Sequence, residues 1–182
     1  CRATVILIKI SQTLHLFNNL RDRGLSNSNQ SEQNGDSYNM NFLLALILTI
    51  NILFSADIVF VANEGNYGAS NGSISMIFED GNVYQTDLIG DVVQALEVHG
   101  DKLIVLVNNS HKIKIYDITS EGLAMPGIEV STNGSGPRDL VVLNDKVYFT
   151  NYNSQDVKVF NLFTYSIETS IPVNGLPEDI DY

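Results

Sequence analysis

His111-Lys112-Ile113-Lys114-Ile115-Tyr116-Asp117 comes back 44 residues later as Gln155-Asp156-Val157-Lys158-Val159-Phe160-Asn161. The flanks keep the same spacing: Asp101-Lys102 returns as Asp145-Lys146, and Asn109-Ser110 as Asn153-Ser154. Within the second copy Val157, Val159 and Asn161 face one way and Lys158, Phe160 and Leu162 the other, the period-two alternation of a strand. An echo of about 40–45 residues in a strand-rich sequence is the signature of propeller blades. The expected fold is therefore all-β, a β-propeller of four-stranded antiparallel blades. A complete small β-sandwich is the alternative, although this echo is not expected of one.

Working outward, residues 137–175 form the clearest unit. An apolar run at 140–143 meets a turn at Asn144-Asp145, where Asn and Asp bond their own backbone. Further strands read at 146–151, 157–161 and 166–173. Residues 93–136 follow the same plan, with strands expected at 95–98, 103–107, 112–116 and 128–130. Between residues 57 and 90 only three strands read, at 58–62, 73–78 and 83–88. The first blade is thus expected to lack its inner strand. Residues 177–182 read as the start of another inner strand. Rings close with typically four to eight blades, and seven of this length need about 300 residues. Two whole blades plus partial ones cannot close, so the chain is expected to be part of a longer propeller, seven-bladed when complete.

The first 56 residues read differently. Met40 opens an apolar run over 42–54, followed by the small residues Ser55 and Ala56. That is the length of an export signal, with cleavage near Ala56. A signal anchor and a buried helix are the competing readings, and about 13 apolar residues are short for a span. Residues 1–39 read as upstream and unstructured, rich in Ser, Asn and Gln after residue 26. Val5 to Ile10 has strand character, but nothing there is expected to pair with the repeat. The single cysteine, Cys1, excludes an internal disulfide framework and a thiolate zinc site.

The 182 residues carry a net charge of −11. The excess is concentrated after residue 56, where six cations face eighteen acids. Such a body repels phosphate backbones, so nucleic acid is not an expected partner. Solubility alone is also a sufficient reason for the acidity.

Several stretches resemble a known family. Tyr148-Phe149-Thr150-Asn151-Tyr152, Val157-Lys158-Val159-Phe160-Asn161 and Ile171-Pro172-Val173-Asn174-Gly175-Leu176-Pro177 resemble the YVTN repeat of YncE-like seven-bladed propellers. Val61-Ala62-Asn63-Glu64-Gly65-Asn66, Gly90-Asp91-Val92-Val93-Gln94-Ala95 and His99-Gly100-Asp101-Lys102-Leu103 are similar to the opening of a Bacteroidetes subfamily described as DUF5074. The likeness covers residues 57–182. It implies an exported periplasmic, secreted or surface protein that binds rather than catalyses, with no membrane span in the mature chain. Some relatives capture corrinoids for outer-membrane cobalamin transporters, so a small molecule or such a surface protein is the implied partner. Surface display goes with a lipid anchor, and no cysteine follows the apolar run to carry one.

Propeller ligands sit over one mouth of the central channel, and the echo names the positions there. The starts of the inner strands carry Gln94, Arg138 and Glu178. The loops between second and third strands carry Glu64, Asn66 and Tyr67, then Asn108 and Asn109, then Tyr152 and Asn153. Amides, a guanidinium, carboxylates and phenols suit a polar ligand. The asparagines also suit tight turns, and turn chemistry remains open for each of them. Arg138 reads either as a functional residue or as an inter-blade ion pair.

No catalytic residue, metal site or cofactor is expected. His15, His99 and His111 are scattered, and no His-Glu-x-x-His, nucleophile elbow or phosphate loop is present. His99-Gly100-Asp101 reads as a hairpin turn. Three functions stay open: a binding module, a structural or protein-interaction propeller, and a propeller enzyme of lactonase or dehydrogenase type.

Overall fold

The computed structural model describes residues 5–8, for the backbone, and residues 57–182. Thirteen strands run in chain order: β1 (Val5–Ile8), β2 (Ile58–Asn63), β3 (Ser73–Phe78), β4 (Val83–Gln85), β5 (Val93–His99), β6 (Lys102–Val107), β7 (Lys112–Thr119), β8 (Gly122–Leu123), β9 (Ile128–Ser131), β10 (Pro137–Leu143), β11 (Lys146–Asn151), β12 (Asp156–Asn161) and β13 (Ser166–Pro172). All belong to one compact unit. Among the described residues there is no helix, so none is long and apolar enough to cross a membrane.

The strands form three antiparallel sheets. The first runs β1-β2-β3-β4 and the third β10-β11-β12-β13. The second runs β5-β6-β7, with β9 as its fourth strand on β7 and the two-residue β8 closing a small hairpin on the end of β7. The all-β fold of four-stranded blades is the architecture observed.

Two expectations need correction. The first blade does have an inner strand. β1 pairs with β2, Val5 opposite Val61 and Ile8 opposite Ile58. An open β2 would leave a row of unpaired backbone groups, and the apolar, mostly β-branched Val-Ile-Leu-Ile run suits that vacancy. Residues 9–56, including the expected unstructured stretch and the export signal over 40–56, lie outside the described residues. At the other end, residues 177–182 form no strand. No described strand offers them a ladder, and they are held instead by single bonds. Thr150 Oγ1 donates to Glu178 O at 3.1 Å, and Ile180 N donates to Asp139 Oδ2 at 3.1 Å.

The 44-residue echo has a structural counterpart in hydrogen bonds. Asn108 N donates to Val92 O at 2.8 Å, and Tyr152 N to Gly136 O at 2.9 Å. Asn109 N donates to Asp91 O at 3.1 Å, and Asn153 N to Ser135 O at 2.9 Å. Ile118 N donates to Asp101 O and Leu162 N to Asp145 O, at 2.7 and 3.1 Å. Even the left-handed positions repeat, His111 and Gln155 both at φ 53°. Val92, at φ 63°, stands where the next blade has Gly136 at φ 66°. A β-branched residue is disfavoured in that region.

The core lies between blades. Ala95, Ile104, Leu106, Ile113 and Ile115 of the second sheet pack against Leu140, Val142, Val147, Phe149, Phe160 and Leu162 of the third. The other face of β6, Leu103, Val105 and Val107, is fully buried as well. A strand covered on both faces reads as an unbroken apolar run, as Leu103-Ile104-Val105-Leu106-Val107 does.

Candidate ligand-binding recess

The inner strands begin irregularly, and the irregularity aims side chains. The β5–β6 register shifts between Val93 and Ala95, and the β10–β11 register between Pro137 and Leu140. A bulge of this kind leaves its extra residue unpaired and turns its side chain away from the ladder. Gln94 sits in the first shift and Arg138 in the second. They are repeat-equivalent, so the bulges present them to the same side in successive blades.

That side is a recess of about 790 Å³. Six of the residues expected at the mouth line it: Glu64, Tyr67, Gln94, Asn108, Arg138 and Glu178. Asp139 and Asp179 join them. Sequence reasoning missed these two. Each directly follows a named strand-start residue, and extending the echo by one position would have found both.

Arg138 is the centre of the polar lining. Its Nε donates to Glu178 Oε2 at 2.7 Å, and its Nη1 comes within 3.5 Å of Gln94 Oε1. Its guanidinium carbon stands 5.8 Å from the centre of the Tyr152 ring, a cation–π distance. Arg138 therefore joins Gln94 of β5 to Glu178 of the segment that follows β13. Arg138 forms an ion pair inside the recess, with a partner from the strandless segment after β13.

The remaining expected residues, Asn66, Asn109, Tyr152 and Asn153, do not line the recess, and the amides of Asn109 and Asn153 reach groups 18 and 19 residues away rather than their own turns. Asn66 N bonds Asn71 Oδ1 at 2.7 Å. Asn109 Nδ2 donates to Asp91 Oδ2 at 2.7 Å, and Asn153 Nδ2 to Gly134 O at 3.2 Å. Tyr152 meets the recess through Arg138, whose guanidinium lies over its ring. Asn108 lines the recess and also bridges blades, its Nδ2 donating to Pro137 O at 2.8 Å.

Asp91 is the buried residue that shapes this wall. It is 6% exposed. Its two carboxylate oxygens accept Gly68 N at 3.1 and 2.9 Å, besides Asn109 Nδ2. Its own N–H donates to Ser110 Oγ at 2.8 Å. One carboxylate thus ties the loop carrying Glu64 and Tyr67 to the turn carrying Asn108. The second junction uses a histidine, with Gly136 N donating to His111 Nδ1 at 3.2 Å. His99, expected only as part of a turn, also bridges blades. Its Nε2 stands 2.9 Å from Asp145 Oδ1.

Among the described residues no group of three or more His, Cys, Asp or Glu side chains is placed to hold a metal ion. Close to the recess, burial pushes the Glu97 carboxyl above its usual range, a backbone hydrogen bond at Val142 opposes this, and Asp139 adds to the rise.

No family model matches the chain, and no curated protein matches it. Solved structures do. A functionally unknown protein from Desulfotomaculum acetoxidans aligns with TM-score 0.55 at 11% identity, over 67% of this chain and 41% of that one. A putative 6-phosphogluconolactonase from Bacteroides uniformis gives 0.54 at 11%, over 67% and 43%. The computationally designed Ika4 protein gives 0.52 at 15%, over 69% and 73%. The neighbours are β-propeller proteins, and at these identities the likeness concerns the fold alone. The chain spans about two-fifths of the length of the first two.

Proposed function

We propose that these blades belong to an extracytoplasmic binding propeller that captures a neutral, amide- or hydroxyl-rich small molecule at the recess. The observation that carries this reading is the convergence of Gln94 and Arg138, from two successive strand starts, and Glu178, from the segment after β13, with Glu64 and Tyr67 around one volume of about 790 Å³. That volume is of the size small-molecule sites have. The lining mixes donors and acceptors with an exposed phenol at Tyr67, which offers a flat apolar surface. A corrinoid, with its ring of amide side chains, is the ligand that the family resemblance names.

Charge argues about ligand class. Four carboxylates (Glu64, Asp139, Glu178 and Asp179) face one guanidinium in the lining. A phosphate or polycarboxylate would meet net repulsion there. This speaks against a net-anionic phosphate-ester substrate, although one fold neighbour carries the name of a putative 6-phosphogluconolactonase, whereas cyanocobalamin, its one phosphodiester balanced by the cobalt centre, is neutral overall.

Calorimetric titration of the chain with cyanocobalamin tests the reading. One-to-one binding, weakened at least about tenfold in Gln94→Ala, is the expected result, the loss being about 1.4 kcal/mol. No heat at high micromolar ligand would end the corrinoid reading and turn attention to a surface-protein partner such as an outer-membrane transporter.

A further inference from the structure

We infer that Glu178 is a tethered carboxylate that occupies the anion site of Arg138 and thereby sets the recess against anionic ligands. The inference rests on reading the recess as a ligand site and deepens it to a rule of selection.

Arg138 is arranged as guanidinium groups are arranged for recognising carboxylate or phosphate. Its guanidinium carbon lies over the Tyr152 ring, and its N–H groups meet acceptors. Among the residues lining the recess it is the single cation. The acceptor on its Nε belongs to the protein, Glu178 Oε2 at 2.7 Å. Glu178 comes from a segment with no strand ladder, positioned by the Thr150 Oγ1 bond to its carbonyl and the Asp139 bond to Ile180 N. The two side chains are 30% and 49% exposed. An ion pair that open to water contributes little to stability. What it changes is the field in the recess. With Glu178 in place the guanidinium is neutralised, and Glu64, Asp139 and Asp179 leave the lining net negative. A neutral ligand can use Gln94, Asn108 and Tyr67 without disturbing the pair. An anion has to displace Glu178 first.

Inorganic phosphate, titrated into the full chain at low ionic strength, reads this directly. The wild type is expected to give no saturable binding at low millimolar phosphate. Glu178→Gln keeps the shape and removes the charge, and should bind phosphate at least about tenfold more tightly, with an affinity that falls as salt is added. The double variant E178Q/R138Q should lose that gain. Glu178→Ala serves as a second single variant, and thermal unfolding checks that all are folded. The inference is overturned if neither single variant gains phosphate affinity, or if the double variant retains the gain. A null result with cyanocobalamin would sink the ligand proposed above and leave the phosphate result standing, so the two failures are separable.

Discussion

Asp91 and Asp156 show what single buried carboxylates do in this molecule. Asp91 accepts three hydrogen bonds from two loops. Removing its side chain strands those donors, at a cost of about 1–3 kcal/mol. Asp91→Ala should lower the urea midpoint accordingly and speed amide exchange at Gly68, and an unchanged Gly68 rate would contradict the latch. Asp156 is 5% exposed and meets Lys158, Ser154 and Ser170. Burial pushes its carboxyl up, but the hydrogen bonds from Lys158, Ser154 and Ser170 prevail and hold it below the usual range. A folded-state value below the unfolded one adds stability above about pH 4 that is lost as pH falls through the folded value. Ser170→Ala removes one of those donors, so its acid unfolding midpoint should move to higher pH than that of the wild type. Lys158→Met leaves the carboxylate buried and unpaired, and should cost about 3–5 kcal/mol in chemical denaturation. Much of this was legible only in part. The Lys112/Lys114 and Asp156/Lys158 echo marks a polar stripe, but the echo does not say which acid each lysine meets: Glu129 of the outer strand β9 for Lys112 and Lys114, and Asp156, two residues away on the same strand, for Lys158.

At the scale of elements, burial grades from the middle of each blade to its rim. Every residue of β6 after Lys102 is buried, whereas β13 is mostly exposed. Leu106→Ala should therefore cost about 2–5 kcal/mol, while Ile171→Ala should stay within about 0.5 kcal/mol. Equal losses at the two sites would mean the blades are not packed as described. Strands with strong alternation or unbroken apolar runs were readable from the chain. β8, two residues long, carries no periodic signal, and β4 stops at Gln85, short of the apolar Leu88 that extends the pattern. Strand character at the start of the chain was readable, but its pairing with the first blade was not, for a different reason. β1 lies some fifty residues upstream of β2, outside the repeat, and long-range pairing leaves no local mark.

On the scale of the whole molecule, charge is the dominant property. Each of the six cations after residue 56 is engaged in an ion pair, so the surplus acids are left with no Lys or Arg partner. The sequence isoelectric point is about 4.4. Solubility should pass through a minimum near that pH, just where the contribution of Asp156 begins to fade. Turbidity against pH measures this, and a clear solution throughout would show that repulsion is not what keeps the chain dispersed.

The sequence by itself determined the blade plan, the turn positions and the repeat-equivalent residues, because period-two alternation and a 44-residue echo are local and recurrent. It also sufficed to name six residues of the recess, since an echo fixes which positions share one end of successive blades. Tertiary structure alone decided which side chains meet across blades. Arg138 with Glu178, Asp91 with Gly68 and His99 with Asp145 are separated by between 23 and 46 residues. Their pairing depends on bulge geometry and on how one sheet is set against the next, and neither leaves a trace in composition or spacing.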